Sequence, residues 1–264
     1  MNQPSELSSP LGAKSEGEGR KRIMSTNVDM KALLEAGAHF GHKTSRWHPK
    51  MAPFIHSKRG ENHIINLEKT VEQFDAALKF VEEIVARGQQ ILFVGTKRQA
   101  KDVLKSAAIE AGQPYVVERW LGGMLTNATT INVRIKKLKD LEAKMESGEL
   151  AAKYNKLEVQ RFQEQIDEMN VVFGGIKDLQ GRPGALFVVD ILEEENAVKE
   201  AIRLGIPIVA LVDTNTDPSK IAYPIACNDD AIRAIALASE YVKSAINDGK
   251  ERRSKKSDTA EPKK

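Results

Sequence analysis

Three short runs, ILFVG at 91–95, ALFVVD at 185–190 and IPIVALVD at 206–213, are apolar almost without interruption. That is how a strand reads when both faces of a parallel sheet are covered. Between these runs the pattern changes period. At 68–87, Val71, Phe74, Leu78, Val81 and Val85 recur at alternating steps of three and four, the spacing of an amphipathic helix, with Gly88 as its stop. Helices are likewise predicted at 30–38, with Leu33 and Leu34 inward and Gly37 ending it, at 97–111 closed by Gly112, at 193–204 closed by Gly205, and at 229–246. In the last of these, Ile232, Ile235, Ala236 and Ser239 share one side. HIINL at 63–67 and the segment 115–118 read as further strands. Strands alternating with helices specify a parallel sheet with helices on both faces, because right-handed crossovers place them there. The expectation is a three-layer αβα domain.

One segment departs from that alternation. Residues 127–174 carry two helical seams, Ile131, Ile135, Leu138, Leu141 and Met145, then Val159, Phe162, Ile166, Met169 and Phe173, with Ser147 and Gly148 between them as the turn. Seams of this spacing let two helices associate in coiled-coil fashion. Arms of about 15 to 20 residues at 1.5 Å per residue reach roughly 25 Å. A hairpin lying flat in the core is the alternative. The narrow stripe and the strongly charged remaining faces favour a projecting arm that meets another protein.

Composition adds bounds. The 264 residues are 29% charged and 41% hydrophobic, with a net charge of +3, so basic residues matter through clustering. The single cysteine, Cys227, excludes an internal disulfide and a Cys-rich zinc site, which fits a reducing compartment. No apolar run approaches the roughly 20 residues needed to span a bilayer. A cytoplasmic protein without a membrane partner is expected. Residues 1–26 are rich in Ser, Gly, Pro and charge and read as a disordered tail, and 247–264 as a disordered, mildly basic one. The α/β domain then comprises 27–127 and 171–246, with 128–170 as the inserted hairpin.

The most one-sided charge lies at 37–59, GAHFGHKTSRWHPKMAPFIHSKR. It carries Lys43, Arg46, Lys50, Lys58 and Arg59 with no Asp or Glu, four of the five histidines, and Trp47. Gly41, Pro49 and Pro53 deny it a long helix, so a displayed loop is expected, where rings and guanidinium groups meet bases and phosphates. The bland alternative is a connection pinned to the core by Phe40, Trp47, Phe54 and Ile55. His39 and His42 lack a tetrahedral set within the stretch.

Enzyme signals are thin. Ligands of open parallel sheets gather beyond the C-terminal strand ends, here Gly95-Thr96-Lys97-Arg98, the segment starting at Glu118-Arg119, Asp190 and Asp213. Gly95-Thr96-Lys97 could receive a phosphate. Neither the three spaced glycines of a dinucleotide site nor a phosphate loop ending in Gly-Lys-Ser/Thr is present. Asp190 and Asp213 could hold Mg²⁺, although aspartates at such positions more often cap a helix or order a turn.

Several blocks, in order, carry a resemblance: LLEAGAHFGHKTSRWHPKMAPFI from Leu33, HIINLEKT from His63, ILFVGTKRQA from Ile91, RWLGGMLTN from Arg119, GGIKD from Gly174, LGIPIVALVDTNTDP from Leu204 and NDDAIRAI from Asn228. Together they resemble the small-subunit ribosomal protein S-two family, and the long helical insertion resembles its bacterial branch. The resemblance implies a flavodoxin-like α/β domain with a coiled-coil protrusion. It also implies a non-catalytic protein that binds small-subunit ribosomal RNA, neighbours other small-subunit proteins and helps recruit ribosomal protein S-one, with no small-molecule substrate. Carried onto this chain, the RNA-facing residues are Lys43, Arg46, Trp47, His48, Lys50, Lys58 and Arg59, then Lys97, Arg98 and Arg119 at strand ends. No cofactor is implied, but the histidines with Asp190 or Asp213 leave room for a structural Mg²⁺ or Zn²⁺.

Overall fold

A computed structural model of the chain describes residues 28–260. Its strands fall into two sheets. The first is antiparallel, β1 (Phe40–Lys43), β2 (Ile55–Arg59) and β3 (Asn62–Ile65) in the order β1-β3-β2. The second is parallel, β4 (Ile91–Val94), β5 (Tyr115–Val116), β6 (Ala185–Val189), β7 (Ile208–Val212) and β8 (Tyr223–Ala226), in the order β5-β4-β6-β7-β8. Renumbered from its own first strand, that order is the flavodoxin-like 2-1-3-4-5.

The helices are α1 (Met30–Glu35), α2 (Leu67–Ala86), α3 (Lys101–Glu110), α4 (Ala128–Glu146), α5 (Glu149–Lys153), α6 (Lys156–Phe173), α7 (Glu195–Arg203) and α8 (Ile232–Ala260). The two-residue period of the strands divides the core. Ile91, Phe93, Phe187, Val209 and Leu211 point to one face and meet α2, α3 and α8 through Phe74, Leu104 and Tyr241. Leu92, Val94, Leu186, Val188 and Ala210 point to the other and meet α4, α6 and α7 through Ile131, Ile166 and Ala197. Both faces are therefore covered, which is why the strands read as continuous apolar runs.

Four expectations need correction. The basic stretch is not an irregular loop: its charges ride on β1 and β2, joined by a 3-10 turn at Pro49–Phe54 whose Met51 is fully buried. HIINL supplies β3, the middle strand of that small sheet, rather than a strand of the parallel one. Strand β8 was not visible in the pattern because Pro224 interrupts it; it lies at the sheet edge, where a missing backbone N–H is tolerated.

The fourth concerns the C-terminal segment. Residues 247–260, expected to be disordered, continue α8. Gly249 is buried against α2: a Cβ there would stand 2.7 Å from the Glu82 carbonyl oxygen. Lys250 Nζ donates to the Ala111 carbonyl at 2.6 Å, and Arg252 pairs with Glu82 at 3.3 Å. Cations that read as solvated thus sit at the C-terminal ends of α2 and α3, where helix dipoles attract them. Gly249→Val is expected to cost about 1–3 kcal/mol by overpacking. Hydrogen exchange should then show lost protection at 250–260 with the parallel sheet still protected; unchanged protection there would contradict this docking. The expected N-terminal tail, 1–26, lies outside the described residues.

Within the insertion, the short helix α5 replaces a simple turn, with Gly148 in the left-handed region at φ 75°. The seam residues Ile131, Ile135, Leu138, Ile166 and Phe173 are buried and continuous with the core beneath the sheet. Glu142 accepts from Asn170 Nδ2 at 2.8 Å, which joins the C-terminal halves of α4 and α6, and Phe162 meets Tyr154 edge-on at 5.1 Å.

Candidate nucleic-acid interface

The small sheet is seated on the end of β7. Thr214, in the turn after β7, accepts at its hydroxyl from the His42 backbone N–H at 2.9 Å and at its carbonyl from the His48 N–H at 2.7 Å. Gly41 is required there, since a Cβ would stand 2.6 Å from the Thr214 methyl. From the other side, Asn228 donates through its backbone N–H to Ala38 and through Nδ2 to Gly37. The cationic surface is therefore held by the parallel sheet, not suspended from it.

On that base the predicted side chains are dispersed over exposed positions. Lys43, Arg46, Trp47, Lys50, Lys58 and Arg59 are exposed and His48 is half-buried. Trp47 is 38% exposed and tilts against His63 at 5.2 Å, so one part of the indole is anchored and the rest is free. His48 caps the 3-10 turn by accepting from the Lys50 N–H at Nδ1. Lys50 Nζ binds Asp217 at 2.8 Å and Ser219 at 2.7 Å, and Lys43 pairs with Glu61 at 3.2 Å. Arg46, Lys58 and Arg59 have no carboxylate at ion-pair distance among the described residues.

The strand-end cations divide. Arg98 and Arg119 are exposed, but Lys97 is turned inward, with its side chain only 13% exposed. Its Nζ lies 3.1 Å from Asp190, 2.7 Å from Asp229 and 2.7 Å from Asp230. Burial works against the ammonium, yet Asp229, Asp230 and Asp190 together raise its pKa above the usual lysine value. Asp229 is the counterpart: burial first, then the charges of Asp190 and Asp213, push its carboxyl up to about 7. Asp190 adopts the left-handed region at φ 67° and caps Leu192 and Glu193 with its second oxygen.

The crevice between β4 and β6, where the strand order reverses, is the ligand position of this topology. Here the chain occupies it. Lys97 bridges Asp190 at the end of β6, and the Glu194 carboxylate accepts the Thr96 N–H that a phosphate would need. Burial raises the Glu194 pKa, so this carboxyl sits in an enclosed position.

A residue with no signal in the sequence holds the segment after β5. Glu200 on α7 accepts from Trp120 Nε1 at 3.1 Å and from the backbone N–H groups of Gly123, Leu125 and Thr126 at 2.7, 3.0 and 2.9 Å. Desolvation pushes its pKa up, but the bonds from Thr126, Trp120, Gly123 and Leu125 hold it below the usual glutamate value. Arg119 is displayed at the start of this tethered segment.

Such a molecule is a non-catalytic α/β protein: a flavodoxin-like sheet whose ligand crevice is filled from within, bearing a cationic antiparallel sheet. The profile of the family described as "Ribosomal protein S2" matches residues 33–249. The chain is 51% identical over 226 residues to "Small ribosomal subunit protein uS2" of Chloroflexus aggregans, covering 86% of this chain and 94% of that protein. It is 49% identical over 236 residues to the protein of the same description from Roseiflexus sp., covering 89% and 88%. The chain belongs to the ribosomal protein S2 family, a family of structural rather than enzymatic proteins. Among the described residues no helix is long and apolar enough to cross a membrane.

Proposed function

We propose that this protein is a structural constituent of the small ribosomal subunit in the cytoplasm and binds small-subunit ribosomal RNA through the exposed face of its small sheet. The observation that carries the reading is the set Arg46, Lys58 and Arg59, cations without acidic partners, beside a half-anchored Trp47 on a base rigidly tied to Thr214. Lys43, Lys50, Arg98 and Arg119 extend the surface. Lys97 leaves the proposal, because its charge is consumed by Asp190, Asp229 and Asp230.

Replacing Arg46, Lys58 and Arg59 together by Ala is expected to lower affinity for ribosomal RNA and to flatten the logarithmic salt dependence by about two to three, since each neutralised phosphate contributes about 0.7 to 0.9. The circular dichroism spectrum should not change. An unaltered slope in a folded variant refutes the assignment.

The same reading gives the insertion a protein-binding role. Val133, Leu157 and Val171 are 69%, 60% and 59% exposed on α4 and α6, a cost in water that a neighbouring ribosomal protein would remove. Recruitment of ribosomal protein S-one belongs to this proposal. Small subunits carrying Leu157→Glu should sediment normally but retain less of a protein neighbour; full retention of all neighbours contradicts the role.

A further inference from the structure

Within the basic stretch the histidines find no complete ligand set, but the fold joins one of them to carboxylates from far along the chain. His42 in β1, Asp213 after β7 and Asp230 before α8 each offer a donor atom, and these atoms lie within 4.8 Å of one another. The imidazole stands between the two acids, with Nδ1 3.0 Å from Asp213 Oδ2 and Nε2 3.4 Å from Asp230 Oδ2. The second separation is long for an N–H···O bond, whose usual length is about 2.9–3.0 Å. It matches the edge of roughly 3.4 Å between two donors that share a tetrahedral ion at about 2.1 Å.

A second observation points the same way. Asp229 is 0% exposed; one of its oxygens is held by Lys97, and the other, Oδ2, is enclosed without a hydrogen-bond partner. Its charge reaches both His42 and Asp213. Four carboxylates, Asp190, Asp213, Asp229 and Asp230, thus face one ammonium and one imidazole. Enclosed anionic oxygens in such excess are costly unless a cation balances them.

Asp190 takes no part, since both its oxygens are engaged by Lys97 and by the backbone that follows it. An all-carboxylate set would suit Mg²⁺, whereas an imidazole donor shifts the preference to zinc. Access exists: an open depression of about 470 Å³, lined also by Gly41, Asn62 and Asn228, leads to the three residues and leaves space for water to complete the coordination. We propose that His42, Asp213 and Asp230 bind one divalent cation, Zn²⁺ in preference to Mg²⁺, which would pin β1 to the ends of β7 and α8.

Full-length protein, stripped with chelator and titrated with Zn²⁺ by calorimetry, is expected to take up one equivalent. His42→Gln and Asp230→Asn should each weaken that binding by about tenfold or more, while His56→Gln, at an exposed position on β2, should leave it intact. Millimolar Mg²⁺ should not displace the ion. X-ray absorption at the zinc edge on the unaltered protein should report one imidazole nitrogen among oxygen donors, a readout independent of whether the variants fold. No saturable uptake, uptake indifferent to both substitutions, displacement by Mg²⁺, or a shell with several histidines each overturns the proposal.

Discussion

Lys97→Met is expected to destabilise the protein by about 3–5 kcal/mol, the cost of removing one partner from an enclosed charge cluster. The methionine fills most of the lysine's volume, so the loss reports charge rather than a cavity. Asp229, with no exposed surface, would be left beside Asp190 and Asp230 with no ammonium between them. The pH dependence follows from the raised Asp229 carboxyl. An acid whose folded pKa, about 7, exceeds its ordinary value of 3.8 holds its proton more tightly when folded, so its favourable contribution at low pH is lost as the pH rises through that window. Removing the cation raises the folded value further. The gap between the two proteins in urea unfolding should therefore be smallest near pH 4 and widest above pH 7. A gap below about 1 kcal/mol, the scale of an exposed ion pair, would show that Lys97 is only a surface partner.

The second large effect lies at Glu200. Its carboxylate holds Trp120, Gly123, Leu125 and Thr126, so Glu200→Ala abandons donors of which Leu125 and Trp120 are buried. Hydrogen bonds to a charged group contribute about 1.5–3 kcal/mol each and do not sum, so a loss of about 3–4 kcal/mol is expected. Glu200→Gln retains one acceptor oxygen and should lose roughly half of that. Because the folded pKa is depressed, the contribution is present above the usual glutamate value of 4.5 and fades as the pH falls through the folded value. Thermal unfolding at pH 7 and pH 3 tests this: the glutamate and glutamine forms should converge in acid. Hydrogen exchange should also show the segment after Arg119 losing protection; intact protection in Glu200→Ala would mean that the Trp120 side chain alone holds it.

What could be read beforehand, and what could not, follows from the range of the interactions involved. Strands β4, β6 and β7 announce themselves because burial on both faces removes every polar residue from them. Helix α2 does so because its buried stripe returns every third or fourth position. The small sheet was hidden because Lys43, Lys58 and Arg59 occupy strand positions that face solvent, and charge without alternation resembles a loop. The extension of α8 past Ile246 was hidden for a related reason. Lys250 and Arg252 look like solvated cations until Ala111 and Glu82 are brought beside them. The basic stretch was legible as a surface, since its lack of acidic residues is a local property. The inward turn of Lys97 and the role of Glu200 depend on partners some 75 to 130 residues away and leave no local trace.

The way α8 closes the molecule bears on how it is made. Tyr241, Val242, Ala245 and Ile246 complete one side of the core, and they come from the final helix. During vectorial synthesis α2, α3 and the inner strands emerge with that side uncovered, and they remain so until translation has nearly finished. A product ending prematurely just before α8 would therefore be a sticky, protease-sensitive fragment rather than a shorter working protein, and nascent chains would depend on holding chaperones through the last stretch of elongation.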